Sequence, residues 1–371
     1  MGGSLGSPSP PKCALCVPSR GGKGRKAQNL RRTLGRIEGF AQGDLLGLWE
    51  DGAPLPGKAA AARKRKRGCA LSFEDKVARM EDDHFVGQIR ALVEEGALSK
   101  AARHITSDGI LDPHAEGVMD ALRGLHPQAA APDVSGVGSG EPISRDMSPE
   151  GTIKRVGKLT ELIRSFPPGS GSGPSGLSPA HLQEAVACGD DEASRRLVGA
   201  LDAFVMVCED GGLPEAAAQH LASANLIPLR KGDDGVRPVA VGECLRRLVG
   251  KRLMSEGTTL EAARSLLPLQ TGVRVQDACL LTSLSLREAV DGWRPGEGWV
   301  LVQVDLTNAF NSIDRQKVLE AVKARAPHLL PFALSSYGRH SSLYCRGEVI
   351  GSQQGVQQGD PLGPLLFALA W

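Results

Sequence analysis

Around Ser223 the spacing of apolar residues changes period, and this change limits the fold more than any other feature of the chain. Upstream, the runs FEDKVARM, HFVGQIRALVEEG and AEGVMDALRGL within residues 71–125 repeat apolar positions every three or four residues. Residues 152–166 and the chain from Pro179 do the same, the period of helices that bury one face. Downstream, ANLIPL (224–229) and RPVAV (237–241) are short apolar runs flanking RKGDDGV, a pattern that predicts a hairpin with a charged tip. Helices are expected at 243–257, 278–290 and 314–325, a strand at WVLVQVDL (299–306), and a strand pair in SLYCRGEVIGSQ. Helices followed by interleaved strands and helices make an α+β fold.

Charge divides the chain further. Residues 1–70 hold fourteen Lys/Arg and four Asp/Glu, near +10, while the net charge of the whole is +2, so the remaining residues sum to about −8. Such a split predicts a disordered basic arm (1–70) joined to a mildly acidic body, and basic arms favour polyanions through counterion release. The run RKRKR, Arg63 to Arg67, reads as a nuclear-localisation or nucleic-acid patch, or as a solvated charge block. A helical region (71–126) and a Pro/Gly/Ser/Ala-rich linker (127–151) are expected to precede the main body (152–371), within which PPGSGSGPSG (167–176) reads as a flexible loop. No apolar run approaches the ~18 residues of a spanning helix, so no membrane partner is expected. Eight scattered cysteines in so long a chain point to a reducing, intracellular setting. Cys13 and Cys16 form half of a zinc site, and with no second pair to complete it structural zinc is not expected.

The chemistry concentrates in two segments. Period two in VLVQVD sets Val300, Val302 and Val304 on one face and Leu301, Gln303 and Asp305 on the other, so a polar end emerges where the strand stops. Asp305 is the candidate catalytic carboxylate and ligand for a hard divalent cation, with the Leu306 carbonyl as an auxiliary oxygen; a cap or turn residue is the other reading. Phe310, five positions on, either packs under a sugar and excludes a 2′-hydroxyl or plugs the core between strand and helix. Asp314 reads as a helix N-cap. In GVQQGDPLGPLLFALA (355–370), Asp360 and Pro361 look like a cap and a first helical residue, and the helix start beside Gln357, Gln358 and Gly359 is suited to phosphate. Gln358 can hydrogen-bond sugar or phosphate; a plain capped turn is the alternative. Arg230, Lys231 and Arg237 flank the hairpin tip, where they either neutralise a triphosphate or are merely solvated.

Five segments occur in a familiar order: GPSGLSPAHLQEA, LIPLRKGDDGVRPVAVGECLRRLVGKRL, LLPLQTGVRVQDACLLTSL, VDLTNAFNSID and GVQQGDPLGPLLFALA. Together they resemble a reverse transcriptase domain of the non-LTR retroelement and group II intron type, over residues 152–371. The resemblance implies right-hand polymerase fingers and a partial palm, RNA-directed DNA polymerase (nucleotidyltransferase) activity of a retrotransposon, and Mg²⁺ or Mn²⁺ at Asp305. It also implies a sugar gate at Phe310, nucleotide contacts at Gln358 and Gly359, triphosphate contacts at Lys231 and Arg237, and an RNA template, a DNA primer and deoxynucleoside triphosphates as partners.

The chain departs from the family at Asn311, often aspartate there, and at Gly363, often serine. The family's aromatic-x-Asp-Asp hairpin does not occur after the second segment, and the two GDD strings, at 189–191 and 232–234, both precede Asp305. One carboxylate holds two divalent ions poorly. The expectation is therefore a polypeptide that is catalytically incomplete and only partly stable. Its rival is a non-catalytic nucleic-acid-binding retroelement remnant whose affinity resides in the basic arm. A phosphate-binding enzyme of another kind is disfavoured, because no GxxxxGK[ST] loop is present.

Overall fold

The computed structural model describes residues 109–188, 191–231, 235–292 and 300–371. The basic arm, Arg63 to Arg67, Cys13 and Cys16, the first two helical runs, the hairpin tip, Trp299 and most of the first GDD string lie outside these residues. The fold is α+β, and the chain forms two compact units.

The smaller unit combines residues 59–125 with 226–239. Its described part contains helix α1 (Val118–Gly124) and most of two strands, β1 (Ala224–Lys231) and β2 (Gly235–Gly242), where the sequence predicts a hairpin. Gly109 and Leu111 extend it: the Leu111 N–H donates to Pro228 O (2.9 Å) and the Arg230 N–H to Gly109 O (3.2 Å).

The larger unit carries helices α2 (Pro149–Arg164), α3 (Pro179–Val186), α4 (Asp191–Glu209), α5 (Glu215–Ala222), α6 (Cys244–Leu253), α7 (Gly257–Arg264) and α8 (Ala278–Asp291). After these come the short α9 (Ala309–Ser312), α10 (Arg315–Arg325), a 3₁₀ turn (Pro327–Leu329), α11 (Leu330–Tyr337), strands β3 (Ser341–Cys345) and β4 (Glu348–Ser352), and α12 (Gly363–Ala370). The strand order is β2-β1-β3-β4. Ala224 and Asn225 run parallel to β3, and β3 and β4 are antiparallel with Leu343 opposite Ile350. Arg346 and Gly347 both have positive φ (45° and 95°), as a two-residue hairpin loop with primed-turn geometry requires. One apolar core runs from Leu159 and Ile163 of α2 through Leu248 and Leu253 of α6 to Val318 and Val322 of α10, Leu330 and Phe332 of α11, and Leu365 and Leu369 of α12.

Capping explains several boundaries. Ser148 accepts from the Gly151 N–H with Pro149 at the first turn, so α2 begins inside the stretch expected to be linker. Asp314 accepts from the Gln316 and Lys317 N–H groups (2.7 and 3.3 Å), the cap expected of it. The helix expected at 243–257 is α6 and stops at Leu253, at a turn in which the Ser255 N–H donates to Arg252 O and the Glu256 N–H to Leu253 O; a further helix, α7, starts at Gly257.

Two stretches read as loose from composition are fastened. Within residues 127–148, Val137 is buried, Glu141 N–H donates to Pro327 O (3.1 Å), and Arg145 pairs with Asp210 (2.8 Å) and Glu209 (3.1 Å). The Gly/Ser loop 167–176 is held by the buried Glu243, whose carboxylate accepts from Ser175 N–H (2.7 Å) and Ser175 Oγ (2.6 Å). Composition reports the entropy available to such segments; it does not report the groups that fix them.

The strand expected at 299–306 is the main correction. Residues 300–306 have no ladder partner among the described residues, and their side chains are open: Val300 is 79%, Val302 72% and Val304 73% exposed. Alternation and β-branching make a strand possible, but a strand exists only when another backbone takes up its hydrogen bonds.

Candidate functional site

The site is built on the turn between β4 and α12. Two backbone hydrogen bonds lace it to the segment after Asp305: the Val356 N–H donates to Phe310 O (2.8 Å) and the Gly355 N–H to Ile313 O (3.0 Å). Gln354 Nε2 donates to Ser312 O (2.6 Å). This approach demands glycine at 355, where φ is +73° and a Cβ would collide with the Asn311 backbone. On the facing segment, Asn308 is the N-cap of α9 in the left-handed region (φ 54°), and Asn311 Nδ2 donates to its side-chain oxygen at 2.8 Å. The two segments singled out in the sequence therefore do meet, from Phe310 onward.

Phe310 is half-buried and stacks on Phe367 of α12 (centroids 5.0 Å, 22° between planes), which in turn stacks on Trp371 (6.1 Å, 9°). One side of Phe310 packs against the core and the rest remains accessible. Gln358 is half-buried and Gly359 exposed, whereas Gln357 and Asp360 turn inward. Gln358 O accepts from the Ala240 N–H (3.0 Å), and a Cβ on Gly359 would strike Ala240 O. α12 begins at Gly363 rather than at Pro361, because Asp360 bonds the Leu362 N–H (3.0 Å) as a turn before the helix starts.

Beneath the turn lies a buried polar network. Arg246 of α6 donates to Gln357 Oε1 (2.6 Å), Asp360 Oδ2 (2.8 Å) and Ala222 O (2.9 Å). Tyr337 Oη donates to Asp360 Oδ2 (2.5 Å) and accepts from the Gln357 N–H (3.2 Å). Arg315 closes the other side, donating to Gly355 O (2.9 Å), Ser352 O (2.9 Å) and Ser352 Oγ (2.7 Å). Both guanidiniums lie near the Tyr337 ring, 5.0 and 5.3 Å from its centroid. Burial opposes the charge on Arg246, yet Tyr337 and Asp360 outweigh it and raise its pKa. Arg315 has no carboxylate partner among the described residues, and burial pulls its pKa down to about 10. Burial also raises the Tyr337 phenol, helped by the Asp360 carboxylate. One buried ion pair, Arg246–Asp360, and a second buried cation, Arg315, thus lie below a turn whose outer edge is open.

Asp305 and Leu306 behave differently. Asp305 is exposed and makes no hydrogen bond or ion pair among the described residues, and Leu306 is 38% exposed. Among those residues no three His, Cys, Asp or Glu side chains gather into a group able to hold a metal ion. A lone exposed carboxylate with a neighbouring carbonyl does not fit a two-ion centre by itself. Lys231 and Arg237 are exposed on the hairpin of the smaller unit. No described helix is long and apolar enough to cross a membrane.

Sequence reasoning missed Arg246, Arg315, Tyr337 and the inward role of Gln357. A signal existed for Arg246: it recurs at helical spacing with Val249, Gly250 and Leu253, on the buried face of α6. A cation on an apolar stripe requires a buried partner. No family model and no curated protein matches this chain.

Proposed function

We propose that residues 152–371 belong to a reverse transcriptase-type nucleotidyltransferase domain, with fingers and part of a palm, derived from a retroelement. In this reading the surface formed by Phe310, Gln358 and Gly359 receives an incoming deoxynucleoside triphosphate, against an RNA template and a DNA primer. The supporting observation is the pair of backbone bonds that joins Phe310 and Ile313 to Val356 and Gly355, because it sets an aromatic ring and a half-open amide on one laced element. Triphosphate contacts at Lys231 and Arg237, on the smaller unit, rest on the resemblance alone. Mg²⁺ or Mn²⁺ would be held at Asp305 only together with carboxylates additional to those described, so the polypeptide by itself binds nucleotide and primed template without extending the primer.

The test uses the full chain and labelled nucleotides in equilibrium binding. Deoxynucleotides are expected to bind more tightly than ribonucleotides. Gln358→Ala should weaken both by about two- to tenfold, the worth of one net hydrogen bond, and Phe310→Val should reduce the preference for the deoxy sugar. Equal binding of both nucleotides that neither substitution alters would refute the reading. Extension of a primed RNA template by the purified chain would refute the claim that further carboxylates are needed.

The unaccompanied, exposed Asp305 favours a second reading, a non-catalytic nucleic-acid-binding protein. Replacing all five residues from Arg63 to Arg67 with glutamine should then abolish most RNA affinity while leaving nucleotide binding undetectable throughout.

A further inference from the structure

The C-terminal end of α2 meets α6 at a basic cluster that the nucleotide surface does not use. Phe166 is 5% exposed, with Lys251 Nζ 4.3 Å and the Arg247 guanidinium carbon 5.8 Å from its ring centroid. Arg247 and Lys251 stand one helical turn apart, so their charges are neighbours on one face. Neither has a carboxylate within ion-pair distance among the described residues. Burial lowers the pKa of both, and the charge of Arg247 lowers that of Lys251 further. Arg247 spends Nη2 on Gly171 O (2.5 Å), while its buried Nε has no partner.

In the adjoining Gly/Ser loop the carbonyls of Gly171 and Ser172 are taken up while the N–H groups of the same two residues are not. Gly171 O accepts from Arg247 and Ser172 O from Asn225 Nδ2 (3.1 Å), with Ser175 anchored on Glu243. The N–H groups of Gly171 and Ser172 donate no hydrogen bond among the described residues. Gly171 is exposed, and Arg247 and Lys251 are half-exposed, so the groups meet solvent on an open surface.

Two like charges held side by side with no carboxylate at ion-pair distance among the described residues, where Glu243 attracts Arg247 only from further off, and next to two amides that donate nothing, favour an anion. We infer that the loop 167–176 and the Arg247–Lys251 face of α6 form a cradle for the phosphodiester backbone of a nucleic-acid strand. An open surface encloses a single small anion poorly, whereas a strand offers successive phosphates and gains from counterion release. The cradle is independent of the nucleotide surface at Gln358.

The test titrates the full chain with a fluorescent single-stranded oligoribonucleotide from about 50 to 200 mM salt, where each phosphate contact adds about 0.7 to the log–log slope. Lys251→Met keeps the stem against Phe166 and removes the charge, and should reduce the slope by about 0.7. Combined with Arg247→Gln the reduction should be about 1.4, so wild type loses about sevenfold more affinity across that range. Arg247→Lys keeps the slope. If the double variant does not fold, the Lys251→Met slope decides. An unchanged slope in a variant that melts like wild type would reduce the cluster to a clamp on Phe166 and overturn the inference. Displacement of the RNA by inorganic phosphate beyond the effect of its ionic strength would make this a small-anion site and overturn it also. Gln358→Ala, which tests the nucleotide surface, should leave the slope alone.

Discussion

Replacing Asp360 with alanine would remove the carboxylate that compensates the buried Arg246 guanidinium. The Arg246 and Asp360 side chains are 2% and 1% exposed, and their 2.8 Å ion pair is unscreened by solvent. Breaking one partner of such a pair leaves an uncompensated buried charge and costs about 3–5 kcal/mol. Tyr337 loses its acceptor as well. Against a typical domain stability of about 5–15 kcal/mol this is a large fraction. For a domain of this size it corresponds to a lowering of Tm of about 6–20 °C. Urea unfolding followed by circular dichroism should show the midpoint falling with the slope m unchanged. The double variant Arg246→Met/Asp360→Leu should recover most of the loss, because an apolar pair of similar volume carries no desolvation cost. A single-variant loss below about 1 kcal/mol, or a double variant no better than the single, would refute the view that this pair is desolvated and coupled.

Three further outcomes are expected. Gly355→Ala must place a side chain at φ +73° against the Asn311 backbone; the left-handed conformation alone costs about 1–2 kcal/mol, so unfolding should shift by at least that, and a neutral result would exclude the lacing of Phe310 to Val356. Burial lowers the His328 pKa below its ordinary 6.5, with Thr259 Oγ1 2.8 Å from Nε2. The neutral ring is therefore the form the fold prefers: its contribution is present above pH 6.5 and is lost as pH falls toward the lowered folded value, so the unfolding midpoint should drop over that window and His328→Gln should drop less steeply. An identical slope in the variant would contradict this. Amide hydrogen exchange should find residues 300–306 unprotected while Leu343 and Tyr344 of β3 are protected; protection at 302–304 in the isolated chain would mean that the segment has a ladder partner after all.

Legibility in the sequence followed the range of the interaction involved. The hairpin strands at 224–242, the pair at 341–352 and the Asp314 cap were readable because alternation, turn chemistry and capping act within a few residues. The segment 300–306 carries the same alternation, yet its partner is decided by distant chain, and no local pattern reports whether one exists. At Gln357 and Gln358, adjacent and chemically identical, nothing local says which turns inward. The Arg246 guanidinium, 111 residues away in sequence, settles that Gln357 is the buried one.

The amino-acid sequence by itself determined the α+β class, the positions of the hairpin strands and of several helices, and the placement of Phe310 and Gln358 on consecutive motifs, since these rest on period, propensity and short-range hydrogen bonds. Only the tertiary structure decided that Asp305 stands unaccompanied among the described residues, that the Gly/Ser loop is pinned by Glu243, and that Arg246 pairs with Asp360 beneath the turn while Arg315 is held by backbone carbonyls. A buried charge is stable only where its partners converge in space, and that convergence is a property of the packed chain rather than of any stretch within it.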